Sequence, residues 1–175
     1  SVGELTKRKN HQVIVKAFAL LSKKMDSVFY LICGEGREER RLRKLVRRYH
    51  LKDRIRFLGY RKDIKELLAA SDCFLFLLKQ EGLPVALMEA KATGLFRICS
   101  DIRGNRELAE KEELVERNRS GFYKRKMEEF LAERQTVKEG QNEGRIWKEA
   151  ERYSMERAVQ KMRRIYKEIE NLEQS

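Results

Sequence analysis

Residues 54–78 read RIRFLGYRKDIKELLAASDCFLFLL. RIRFLG (54–59) is short, rich in branched and aromatic residues, and stopped by Gly59, which predicts a strand. Asp63 stands where a helix N-cap belongs, and Ile64, Leu67 and Leu68 are spaced to face inward from a helix over 64–70. CFLFLL (73–78) is apolar throughout, the pattern of a strand covered on both faces. Two such strands joined by a helix make a parallel crossover, the repeating unit of an α/β domain.

The same unit recurs in both directions. Val2 suggests a first strand, residues 10–24 have helical spacing (Val13/Ile14, Ala17/Phe18, Leu20/Leu21), and VFYLIC (28–33) is a strand ended by Gly34-Glu35-Gly36. A helix over 38–50 follows, with a narrow apolar stripe at Leu42, Leu45, Val46 and Tyr49. Downstream come a helix opened by Pro84 and the strand FRICS (96–100). The expectation is a doubly wound, Rossmann-like parallel sheet in residues 1–123. Ligands of such sheets bind beyond the carboxyl ends of the strands, at the loops starting at Gly3, Gly34, Gly59, Lys79 and Asp101. Residues 124–175 carry no strand pattern. They read as C-terminal helices packing on the same domain, broken at QNEG (141–144), the last one capped by Ser154.

A chain of 175 residues suits one ordinary domain. No run approaches the roughly 18 apolar residues of a membrane span. The opening SVGEL lacks a methionine and falls within a strand, so a longer protein is expected. Cys33, Cys73 and Cys99 each sit in an apolar run with no ligand spacing, and only His11 and His50 are present. Buried thiols in a cytoplasmic protein, with no metal site, are the expectation. Of the net charge of +12, most lies in residues 37–65, where 13 Lys/Arg face four acids. That patch is either a solvated helix face or a surface for a phosphorylated ligand, nucleic acid or an anionic membrane.

EGLPVALMEAKATGL (81–95) contains the only proline of the chain. Proline suits the first turn of a helix, and Gly94 suits its C-terminal stop. The free N–H groups near Gly82 and Leu83, at the positive helix end, fit phosphate or hydroxyl groups. Glu81 could accept hydrogen bonds from sugar hydroxyls or balance positive charge. By helical spacing Val85, Met88, Glu89 and Ala92 share one face, which we read as inward. On that reading Glu89 needs a basic side chain, backbone donors or ligand hydroxyls as partner; the alternative is a helix-edge glutamate in solvent.

Gly3 ends the first strand and Lys9 precedes a helix, a combination that suits a diphosphate. Gly34-Glu35-Gly36 lacks the third glycine of a dinucleotide fingerprint and reads as a tight turn. Tyr60 and Arg61, after Gly59, either line a nucleotide base or form a simple surface loop.

Together, VGEL…KN, CGEG, RIRFLGYRKDIKELLAASDCFLF, EGLPVALMEAKATG, SDIRGNREL and YSMER resemble the C-terminal, donor-binding domain of retaining GT-B glycosyltransferases of family four. The resemblance implies transfer from a UDP- or GDP-linked sugar, with no metal and no further cofactor. It assigns Glu81 to the donor sugar, Gly82, Leu83 and Pro84 to the sugar and phosphates, and Glu89 to the ribose. Gly3 and Lys9 would meet the diphosphate, with Lys9 stabilising the leaving group, and Tyr60 and Arg61 the base. Departures are Glu4 where an arginine is usual, Lys79-Gln80 in place of a serine, Leu95 in place of a proline, and Arg97 within a strand.

The function so implied is the donor-binding half of an enzyme of polysaccharide or glycolipid synthesis. The acceptor-binding N-terminal domain is missing, so the fragment alone is expected to bind donor but transfer little or no sugar. Residues 37–65 could touch the inner membrane face. Two rivals are half of another GT-B enzyme, such as a sugar-nucleotide epimerase, and a basic nucleic-acid-binding module. Against the second, aromatics are not interleaved with the basic run.

Overall fold

The computed structural model describes residues 1–25, 27–79, 84–116 and 119–136. Helices and strands alternate: α1 (His11–Leu21), β1 (Tyr30–Cys33), α2 (Glu39–Arg48), β2 (Ile55–Gly59), α3 (Ile64–Ala69), β3 (Cys73–Phe76), α4 (Val85–Ala92), β4 (Phe96–Ser100) and α5 (Arg103–Arg106). A 3₁₀ turn (Lys111–Glu113), β5 (Leu114–Val115) and α6 (Ser120–Thr136) follow.

All strand pairs are parallel, in two ladders, β1-β2 and β3-β4-β5. Of the first strand of the expected sheet, one parallel bridge is present, Val2 to Cys33, and Gly3 (φ 140°) follows it. Val2 also packs on the cluster that β3 and β4 share, so it links the two ladders.

Alternation along the buried strands splits the core into two faces. Leu75, Leu77, Ile98 and Val115 point to one side, where they meet α1, α2 and α6 through Phe18, Leu42, Val46 and Tyr123. Phe74, Phe76, Leu78 and Cys99 point to the other, against Leu68 of α3 and Leu87 and Ala90 of α4. Covering both faces explains why the strands carry continuous apolar runs. The expected doubly wound, Rossmann-like architecture is therefore present. Helix α6 runs without a break through residues 123 and 124 and packs against α1. Stacking of Phe130 on Phe96, with centroids 5.0 Å apart, fastens it to the start of β4. QNEG and the helix expected after Ser154 lie outside the described residues.

In α3 Leu68 is buried as expected, Ile64 packs against the same cluster, and Leu67 is half-buried. Three local expectations need correction. Asp63 precedes α3 but makes no side-chain cap; its carboxylate is taken by Arg61 instead. Tyr49 lies at the end of the α2 stripe and is 38% exposed, because α2 has already ended at Arg48. Pro84 sits at the N-cap of α4 rather than in its first turn. The stop at Gly94 is as expected. Gly94 has φ 70°, its N–H bonds to Lys91 and that of Leu95 to Ala90, closing a Schellman motif. Cys33 and Cys99 are buried and Cys73 half-buried, all as free thiols. Burial pushes the Cys99 thiol up to about 12.

Candidate functional site

The loops at the carboxyl ends of the strands meet through their backbones. Gly3 N–H donates to the Cys33 carbonyl at 2.9 Å, and Gly34 N–H to the Gly59 carbonyl at 2.7 Å. Leu5 N–H donates to Glu35, and Glu38 N–H returns a bond to Leu5. The approach is too close for side chains. A Cβ on Gly34 (φ 133°) would lie 2.1 Å from the Gly3 carbonyl oxygen, and one on Gly36 would lie 2.5 Å from that of Leu5. The two glycines of CGEG thus let the loop after Val2 cross the end of β1, which is the tight-turn role expected of them.

Lys9 lies along this crossing. Its Cε and Nζ are 3.5 and 3.7 Å from where a Gly3 Cβ would stand, and Nζ is 4.8 Å from the Phe76 ring centroid. The first loop and the end of β3 are thereby bridged by one ammonium group. Helix α1 starts two residues later. Among the described residues its positive end has neither an acid in the first turn nor a side-chain cap, a setting that favours an anion. Asn10 holds a left-handed conformation (φ 47°) and is buried. His11 is buried as well, and its Nδ1 has no hydrogen-bond partner among the described residues. Burial, followed by the charges of the N-terminus and Lys9, holds its pKa down at about 3. The Thr6 hydroxyl is likewise buried and unpartnered.

On the β2 side, Tyr60 is 74% exposed and its N–H donates to Glu35 Oε1 at 3.3 Å. Arg61 is exposed and engaged by Asp63, through Nε to Oδ1 at 2.8 Å. That bond keeps the Asp63 carboxyl below its ordinary range.

Helix α4 corrects the sequence reading of Glu89. The inward face is Leu87, Ala90 and Lys91, whereas Val85 is 56% exposed and Glu89 is exposed. The buried stripe thus lies nearly opposite the assumed one. Glu89 is therefore not a core carboxylate that burial forces to find a partner. Pro84 itself is buried, and its carbonyl accepts from Leu87 and Met88. Glu81, Gly82 and Leu83 lie outside the described residues.

Ser100 at the end of β4 and Asn105 in α5 had no assigned role in the sequence reading. The Ser100 hydroxyl donates to the Leu78 carbonyl and accepts from the Leu78 N–H, both at 2.9 Å. Asn105, fully buried, donates to the Ser100 carbonyl at 2.8 Å, and its Oδ1 has no hydrogen-bond partner among the described residues. The available signal was SDIRGNREL itself, where an asparagine closely follows an apolar strand. Among the described residues no group of three or more His, Cys, Asp or Glu is placed to hold a metal ion. No described helix is long and apolar enough to cross a membrane.

The family model described as "Glycosyl transferases group 1" matches residues 1–147. EpsD of Bacillus subtilis (strain 168) is 30% identical over 167 residues, covering 94% of this chain and 43% of that protein. UDP-Gal:alpha-D-GlcNAc-diphosphoundecaprenol alpha-1,3-galactosyltransferase of Escherichia coli is 36% identical over 115 residues, covering 63% of this chain and 30% of that protein. The crystal structure of the pneumococcal O-GlcNAc transferase GtfA, in complex with UDP and GlcNAc, superposes with a TM-score of 0.78 at 21% identity. That match covers 96% of this chain and 35% of GtfA, and establishes likeness of fold. The chain spans less than half the length of the curated relatives it matches.

Proposed function

The chain belongs to the glycosyl transferases of group 1, and on that premise we propose that it is the donor-binding half of a retaining GT-B enzyme. The observation that carries the reading is Lys9. It lies against Gly3 beside the start of α1, whose first turn carries no acid, at the carboxyl ends of the strands. A diphosphate at this point gains an ammonium partner and the positive end of a helix together. In transfer, the same ammonium stabilises charge on the departing nucleoside diphosphate.

The remaining assignments extend outward from that anchor. Tyr60, exposed beside the Gly34–Gly59 contact, offers its ring and backbone to the base. Arg61 contributes through backbone, since Asp63 occupies its guanidinium. Glu89 accepts from ribose hydroxyls from an exposed helix face. Glu81, Gly82, Leu83 and Pro84 are assigned to the donor sugar and phosphates by motif position. The donor is a UDP- or GDP-linked sugar, and the acceptor a polysaccharide or glycolipid bound by a separate domain. One relative named for UDP-Gal transfer and a fold neighbour holding UDP support this donor class. No metal or further cofactor takes part in the proposed transfer.

The test is titration of the chain with UDP and GDP followed by NMR. Shifts clustered at Gly3, Lys9, Tyr60 and Glu89 support the site. Robust glycosyl transfer by the 175 residues alone would contradict the half-site assignment.

A further inference from the structure

Helix α2 reads ERRLRKLVRR, six cations against one acid, with only Leu42 and Val46 fully buried. Between it and α1 runs a groove of about 500 Å³, whose walls include Lys16, Arg41, Lys44, Arg48 and Tyr49. Arg41 is paired with Glu38 at 3.3 Å. Lys16, Lys44 and Arg48 are exposed and have no acidic partner among the described residues. Unneutralised cations facing one groove repel each other, and an anion seated there relieves that repulsion. The groove is not purely polar. Half-buried Leu45 and exposed Tyr49 line it, and Leu20, 42% exposed, follows Lys16 by one turn on α1.

We propose that the α1–α2 groove docks this chain on an anionic phospholipid surface. Lys16, Lys44 and Arg48 take the headgroup phosphates, while Leu20 and Tyr49 rest at headgroup depth. Cations around an aliphatic and an aromatic side chain are the composition of an interfacial contact. Nucleic acid fits less well. Tyr49 is the only aromatic residue lining the groove, so successive bases have no stacking platform, and an exposed leucine gains nothing from a phosphate backbone. Each basic side chain near an anionic bilayer strengthens binding about fivefold.

The experiment is sedimentation of the chain with vesicles of phosphatidylglycerol mixed with phosphatidylcholine, and with phosphatidylcholine alone. Binding to the first and not the second is expected, weakening as salt is raised. Lys44→Ala with Arg48→Ala should lower the partition coefficient about 25-fold. Lys111→Ala with Arg119→Ala, an equal loss of charge at exposed positions elsewhere, should change it little. Circular dichroism checks that both double variants fold. Undiminished vesicle binding by Lys44→Ala/Arg48→Ala, or equal binding to neutral vesicles, overturns the proposal. So does saturation of the groove by inorganic pyrophosphate, or by an oligonucleotide, in a chain that ignores vesicles. Titration of Lys44→Ala/Arg48→Ala with UDP and GDP separates this surface from the donor site, since nucleotide binding should be unchanged.

Discussion

Arg97 in β4 and Glu113 in the turn before β5 form a fully enclosed ion pair, both side chains 4% exposed. Arg97 Nη2 and Nε donate to Glu113 Oε2 at 2.7 and 3.0 Å, and Nη1 donates to the Leu95 carbonyl at 3.1 Å. The carboxylate also accepts the backbone N–H of Arg97 and of Glu110. A charged residue inside an apolar strand is thus accounted for. It fastens β4 to the segment that delivers β5.

Removing either partner leaves a buried charge uncompensated, which costs about 3–5 kcal/mol. Glu113→Ala also strips two backbone donors of their acceptor, so it should be the costlier change, with Arg97→Met milder. Urea unfolding of both variants checks the order; equal or reversed losses would show that the backbone bonds add nothing.

Gly34→Ala should destabilise the chain and abolish nucleotide binding, because the new methyl meets a backbone carbonyl at 2.1 Å and cannot be accommodated by a rotamer. Gly121→Ala, with no atom within 4 Å of the added methyl, should instead stabilise α6 by about 0.5–1 kcal/mol. Thermal melts of the two variants should move in opposite directions.

Acid should weaken the fold through His11. Its folded pKa, about 3, lies below the unfolded value of 6.5, so between those limits the unfolded chain binds more protons. The neutral-histidine contribution is complete above pH 6.5 and is lost as pH falls toward 3, at up to about 1.4 kcal/mol per pH unit. His11→Gln should flatten that slope in urea midpoints measured from pH 7.5 to 4. An unchanged slope would assign the acid sensitivity to other groups.

The order of elements and the two-sided burial of β3 were legible because continuous apolar strands and short amphipathic helices have different periods. The tight turn at Gly34 and the stop at Gly94 were legible because few residues but glycine fit them. Glu89 was misplaced because α4 is short and carries apolar residues on both faces, Val85 and Met88 on one and Leu87 and Ala90 on the other, so spacing alone does not say which face turns inward. Asp63 was read as a cap because the preceding arginine's reach across two residues leaves no sequence signature. The Arg97–Glu113 pair was invisible because it joins distant positions, and its aligned form appears only when β4 and β5 pair.

Because Glu89 is exposed on α4, Glu89→Ala should change stability by no more than about 0.5 kcal/mol. It should nevertheless weaken UDP or GDP binding, through loss of the ribose contact. Calorimetric titration alongside thermal melts checks both parts, and unchanged affinity would remove Glu89 from the donor site.

The measurement closest to the central claim is calorimetric titration of the chain and of Lys9→Ala with UDP and GDP. The account predicts that one of the two nucleotides binds the chain, without added metal, and that Lys9→Ala weakens it about tenfold or more through loss of a charge-assisted contact. Equal affinity in Lys9→Ala, or binding by neither nucleotide, would contradict a donor diphosphate seated between Gly3 and α1.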